Sequence, residues 1–267
     1  PQSLAGRKIV FELFPLTFGE FVTFKEKKIK AQNDFSRKAE SKNKIEHSRF
    51  SKLYDEYLEF GGFPQVVLEE DIERKKMVLK DIFNSYFQID VLTLSDFKKI
   101  DAFKKLIFIL LERVGSKLDI TKLSSLTGVS RDSVYSYLNL LEGSYFLFLV
   151  SPFTKNRDRE VSGAKKVFIC DTGLLNYLSK VSKGNLLENS IFLNLKQYGN
   201  LNYYQNRSGK EIDFVLDEQV ALEVKTHGDK SDIRKLEKLS SRIGLADYYL
   251  ITQNYLNEKD SICAYQI

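Results

Sequence analysis

The sequence predicts an α+β multidomain chain, and three observations carry that expectation. Apolar residues recur at helical spacing through the first third. Three short amphipathic segments then lead into a strand pair, and from residue 166 onward strands alternate with helices. At 267 residues the chain accommodates one large domain or two to three small ones. A hydrophobic fraction of 43% and a charged fraction of 29% are those of a globular protein. No apolar run approaches the ~20 residues of a membrane span, and no signal-peptide pattern opens the chain. The expectation is a cytoplasmic protein with no membrane partner. Two cysteines without a CxxC pair and two histidines argue against zinc and for reduced thiols. A net charge of +5 permits a nucleic-acid partner without demanding one.

Residues 8–13, KIVFEL, alternate and read as a strand, with FPLTFGEF leading into a helix. Because the chain opens at Pro1 almost directly on that strand, it is expected to be a fragment of a longer protein. Residues 25–50 are densely charged and read as a solvated helix or a connection. A helix over 52–60 stops at Gly61-Gly62 and turns at Pro64. The spacing of Met77, Ile82, Phe83, Phe87 and Val91 predicts a helix within 71–94.

Helices are next expected over 101–114, 120–126 and 130–142, with Ser130 as an N-cap and Gly143 as the stop. A strand follows over 145–150. Three helices, a glycine-containing turn between the last two, and a strand pair make a winged helix-turn-helix pattern. KNRDRE at 155–160 would form the tip of the wing. Arg131 and Tyr135 on the third helix, with Lys155, Arg157 and Arg159 in the wing, are the candidate DNA contacts, and Lys165-Lys166 add to them. Asp132, Asp158 and Glu160 dilute that charge, so a docking role stands beside DNA binding.

Beyond residue 166 the pattern gives strands over 166–170, 202–205, 247–252 and 261–266, and helices over 174–178, 186–197 and 231–242. Asp171 either caps the helix after it or ends a strand beside the next feature. That feature is GKEIDFVLDEQVALEVK at 209–225, two strands joined by the turn Asp217-Glu218-Gln219. Alternation puts Glu223 and Lys225 on one face. Asp213, on the neighbouring strand, lies within reach of both. Two carboxylates and an ammonium within apolar strands are costly unless something binds there. Hard oxygen ligands suit Mg2+, held by Asp213 and Glu223, with Lys225 beside the reacting phosphate and Glu188 reaching in from a helix. The alternative is a solvated pair of edge strands.

Glu188, Asp213, Glu223 and Lys225, in the order E…EIDFVL…EVK, resemble the core of the PD-(D/E)XK nuclease superfamily. More of the chain resembles a prokaryotic, often archaeal, family of AAA-type ATPases. The segments that carry this likeness are GRKIVFELFPLTFGEF, EFGGFPQVV, KKVFICDTGLLNYL, LLENSIFLNL, YYQNRSGKEIDFVL and ALEVK, in that order. The resemblance implies three parts: the mostly helical end of an ATPase region over 1–98, a winged helix over 99–165 and a nuclease-like domain over 166–267. It further implies Mg2+-dependent cleavage of DNA at Glu188, Asp213, Glu223 and Lys225. The alternatives are a non-catalytic binding or docking module serving the ATPase, or a transcription-factor-like winged helix. The Walker A pattern GxxxxGK[ST] is absent, so ATP is expected to bind only with the missing N-terminal ATPase domain. That domain is the implied partner, with a homo-oligomer as a further one. Arg7 falls where the family has an arginine near nucleotide across a subunit interface, and is equally a solvated arginine at a strand start.

Overall fold

The computed structural model describes residues 12–29, 32–87, 100–154 and 163–267. The strand expected at 8–13 falls outside these residues except for Glu12 and Leu13, which are not in a strand. Five helices come first: α1 Phe18–Phe24, α2 Phe35–Ser41, α3 Lys44–Phe60, α4 Pro64–Leu68 and α5 Ile72–Tyr86. Their starts are set by side-chain caps. Thr17 and Glu20 form a reciprocal capping box for α1, and Asp34, Asn43 and Asp71 each accept the backbone N–H three residues on. The charged stretch expected as one solvated segment over 25–50 is instead two capped elements, because Asn43 starts α3 well before residue 52.

A second group follows with α6 Ile100–Leu111, α7 Ile120–Thr127, α8 Arg131–Gly143 and the antiparallel hairpin β1 Leu147–Val150 and β2 Lys166–Ile169. Ser130 caps α8 as expected, through the Ser133 N–H at 3.1 Å. The stop differs from the expectation. Gly143 stays inside the helix, and the chain reverses through Ser144 and Tyr145, whose φ of 59° takes the left-handed position. β2 is flanked on both sides. β1 lies along one edge, while Gly115 N–H donates to Val167 O and Leu118 N–H to Lys165 O along the other.

The rest of the described chain is α9 Thr172–Leu178, α10 Lys183–Leu195, β3 Leu201–Gln205, β4 Glu211–Leu216, β5 Val220–Lys225, α11 Lys230–Ile243, β6 Asp247–Thr252 and β7 Ser261–Cys263. The last expected strand is shorter than 261–266, because Ala264–Gln266 turn into a 3-10 helix. The sheet order is β3-β4-β5-β6-β7, antiparallel up to β5 and parallel after it. β4 and β5 meet through the three residues Asp217-Glu218-Gln219, with Asp217 and Glu218 in the left-handed region at φ 46° and 59° and the Gln219 N–H returning to Leu216 O at 2.9 Å. The chain is therefore α+β, with eleven α-helices and two small sheets among the described residues. None of these helices is long and apolar enough to cross a membrane.

One hydrophobic core runs through both groups, from Phe18 and Tyr57 through Leu106 and Leu138 to Phe168, Phe192, Phe214 and Ile262. A smaller cluster on the other face of the sheet packs Ile212, Val215 and Ala221 under Leu236 and Leu239 of α11. The large core is stitched at one buried junction. Gly61, at φ 77°, ends α3, and the Asp171 carboxylate lies where a side chain on it would stand. Asp171 accepts from the N–H of Gly62 at 2.7 Å and of Leu174 at 2.8 Å, so it caps α9 and ties α9 to α3. Leu16 N–H donates to Gly62 O at 2.8 Å, and Asn194 Oδ1 accepts from Phe18 N–H at 2.7 Å. Four motif segments far apart in the chain thus converge there.

Candidate active site at the splayed end of β4 and β5

The site begins with an irregularity in β4. Asn202 pairs with Val215 but Tyr204 pairs with Ile212, so two steps on β3 span three on β4. The extra residue of this bulge falls at Asp213-Phe214, and a bulge re-aims the side chain it carries. On the other side the β4–β5 ladder ends at Phe214 and Leu222. Beyond that point Asp213 Oδ2 accepts the Val224 N–H at 2.8 Å. A carboxylate thus replaces a backbone carbonyl, and the two strands part around it.

Glu223 and Lys225 follow Ala221 at two-residue spacing and so share the α11 face of the sheet. Lys225 Nζ donates to Glu223 Oε1 at 2.6 Å. The other oxygen of Glu223, Oε2, is buried without a hydrogen-bond partner. Glu188 approaches from α10. That helix is held on β2 by Asn189, whose side chain accepts from Ile169 N–H at 2.8 Å and donates to Ile169 O at 3.0 Å. Asn185 Nδ2, one turn earlier, donates to Val114 O at 2.7 Å. Gly115, at φ 75°, completes this wall: a Cβ there would lie 2.7 Å from Glu188 Oε2.

Two residues that sequence reasoning did not assign to the site complete it. Lys166, 1% exposed on β2, places Nζ 3.1 Å from Glu188 Oε1, in contact with Glu211, and 3.8 Å from Asp213 Oδ1. The expectation that Lys166, with Lys165, faces DNA is corrected here: β1 lies along one edge of β2 and residues 115–118 along the other, and the Lys166 side chain points inward to the carboxylates. Glu211 also accepts from Gln205 Nε2 at 2.8 Å. The one available signal was that Glu211 and Asp213 stand two apart on a strand.

Burial pushes Glu188 up to about 8 and the nearby Asp213 charge adds to it, while Lys166 opposes the shift. Burial likewise raises Glu223 to about 7, again with Asp213 adding and Lys225 opposing. Asp213 is itself raised by burial, against the pull of Lys166 and the Val224 N–H. Lys166 moves the other way from what burial alone would do, because Glu188, Asp213 and Glu211 favour its charged form. Four carboxylates thus face two ammoniums, a cluster short of positive charge.

The cluster opens into a cleft of about 570 Å³. Glu211, Glu223, Lys225 and Lys210 line it, together with Asp232 and, on the same helix, Lys235, which pairs with Asp232 at 3.2 Å, Lys238 and Arg242. The last three recur at i, i+3 and i+7 on α11, one helical face. Among the described residues no three His, Cys, Asp or Glu side chains converge closely enough to hold a metal ion on their own. Mg2+ does not require three, since it binds through one or two carboxylates and keeps several waters. Asp213 and Glu223 suit it, and the buried, unpartnered Glu223 Oε2 is the observation that favours the fit.

The remaining candidates lie elsewhere. Arg131 and Tyr135 are exposed on α8 and do not line the cleft. Lys155, Arg157, Arg159 and Arg7 lie outside the described residues.

Fold and site together define an α+β protein with a carboxylate–lysine site where a mixed sheet splays open. The chain belongs to the family described as a domain of unknown function, DUF8612, whose profile matches residues 51–185. A second domain of unknown function, DUF4143, matches residues 183–265, and it is a domain found in AAA-ATPase-associated proteins. An uncharacterized protein of Methanocaldococcus jannaschii, MJ1544, is 30% identical over 274 residues, covering 96% of this chain and 59% of that protein. An uncharacterized protein of Haemophilus influenzae is 29% identical over 245 residues, covering 86% and 57%. The chain therefore spans less than two thirds of the length of these relatives. No solved structure matches it.

Proposed function

We propose that this chain is the DNA-binding, nuclease-like C-terminal region of a AAA-type ATPase, and that it hydrolyses DNA phosphodiesters with Mg2+. The observation that carries the reading is that Glu223 and Lys225 line a cleft together with Lys210, Lys235, Lys238 and Arg242, while Asp213 lies next to them on β4, holding the Val224 N–H. A polyanion brought along Lys235, Lys238 and Arg242 would present a phosphate to Lys225. Asp213 and Glu223 would hold Mg2+, which supplies Lewis acidity and an activated water. Lys225 would sit against charge developing on the phosphate. Glu188, raised toward neutral pH by burial, is suited to move a proton at the edge of the cluster.

The order helix, bridge at Lys117, two helices and hairpin over 100–169 supports a winged helix, with Arg131, Tyr135 and the loop at 155–160 as further DNA contacts. ATP binding belongs to the N-terminal ATPase domain in this reading, and the assembly is a cytoplasmic homo-oligomer.

One observation favours a second reading. Lys166 already supplies a cation to Glu188, Glu211 and Asp213, as a site kept for binding rather than cleavage would have it. Incubation with linear and branched DNA, with Mg2+ or Mn2+, separates the two. Cleavage by the wild type that is lost in Glu223→Ala and in Lys225→Ala is the expected result. Cleavage surviving both substitutions removes the assigned site. Salt-dependent binding without cleavage by any variant favours the binding module.

A further inference from the structure

Lys166 is the buried charge that the proposed reaction leaves without a task. Its side chain is all but inaccessible, and its ammonium also lies 5.5 Å from the centre of the Tyr203 ring. It cannot leave the cluster by a local movement. β2 is bonded to β1 along one edge and to the 115–118 segment along the other, and Asn189 clamps its end. The lysine therefore comes from the three-helix group and its hairpin, while Glu211 and Asp213 come from the five-stranded sheet. Without it, Glu188, Glu211 and Asp213 would repel one another in a poorly hydrated space.

We propose that Lys166 is a fixed counter-cation of the carboxylate cluster. It holds the three carboxylates together when no ion is bound, and its charge weakens the binding of a divalent cation at Asp213 and Glu223. It acts as a positioning residue, touching neither substrate nor the reacting phosphate. The inference rests on the Mg2+ reading of the site, and it ties the ion affinity to the placement of the hairpin that carries β2.

Mn2+ binding to the full chain, measured by isothermal titration calorimetry, tests it without reference to cleavage. Removing a positive charge a few ångströms from the ion site strengthens attraction for a dication, so Lys166→Met should bind Mn2+ at least about tenfold tighter. Lys166→Arg should stay close to wild type. The melting midpoint of Lys166→Met should fall without Mn2+ and recover with it. Wild type that binds Mn2+ with Lys166→Met binding no tighter overturns this proposal and leaves the metal site standing. Absence of Mn2+ binding in both proteins removes the metal site, and this proposal with it. Should Lys166→Met fail to fold, Lys166→Gln removes the charge and keeps a polar group. Mn2+ binding at least about tenfold tighter than wild type in that protein supports the proposal, and affinity no tighter overturns it.

Discussion

Asp171, fully buried, and Asp213, mostly but not fully buried, both stand beside a change in the backbone, and they do opposite things. Asp171 accepts from Gly62 and Leu174 N–H groups and sits at a junction of α3 and α9 where the available donors are used. Asp213 takes one backbone N–H and shares its surroundings with other carboxylates, two ammoniums and an unpartnered oxygen of Glu223. A buried carboxylate that is satisfied by backbone donors stabilises the fold. A group of carboxylates short of cations is held at a cost in stability that a bound cation would relieve. The comparison shows that burial of an acid does not by itself mark function. What distinguishes the two sites is whether the charge is already answered.

The largest effect expected from this contrast is on cleavage. Asp213→Asn and Glu223→Gln should each lower a DNA-nicking rate by at least about 100-fold, while calorimetry finds the melting midpoint unchanged or raised. A large loss of stability in both would make Asp213 a second Asp171. Next is the converse substitution. Asp171→Ala leaves two buried N–H groups without an acceptor and should cost about 3 kcal/mol, read by denaturant unfolding. Cleavage by that variant, measured well below its melting temperature, should persist.

A smaller effect concerns the cleft wall. Reversing Lys235, Lys238 and Arg242 to glutamate, on a Glu223→Gln background that prevents cleavage, should weaken DNA binding about tenfold or more. The same change should reduce the slope of log affinity against log salt by about 3. A greater loss from Arg131→Ala with Tyr135→Ala would move the main DNA contact to α8.

The smallest is the pH response. Glu188 and Glu223 titrate higher in the folded chain than in the unfolded one, at about 8 and about 7, against about 4.3 for a free glutamate. The folded state therefore holds more protons between those values, and the stability these groups contribute is lost as pH rises through that window. The melting midpoint without divalent ions should decline from about pH 5 to about pH 8. Glu188→Gln should flatten the decline, and Mg2+ should offset it in the wild type.

Much was legible in the sequence because it depends on neighbours in the chain. Ser130 was readable as the cap that starts α8, whereas Asn43 went unread and started α3 at Lys44 rather than at 52. Two-residue alternation put Glu223 beside Lys225, and the turn chemistry of Asp217-Glu218 joined β4 to β5. These are short-range effects, readable from spacing. Asp171 as a cap belongs with them, though its second bond to Gly62 does not.

The tertiary structure decided the rest. Whether Lys166 faces solvent or acid depends on β2 being flanked on both sides, by β1 and by residues 115–118, and spacing carries no such information. The aim of Asp213 depends on one extra residue in the pairing of β3 with β4. The cations of α11 matter because the helix packs Leu236 and Leu239 onto the sheet and so lays Lys235, Lys238 and Arg242 along the cleft. In each case a charge takes its meaning from partners distant in the chain, since electrostatic energy depends on separation in space and on burial rather than on order along the backbone.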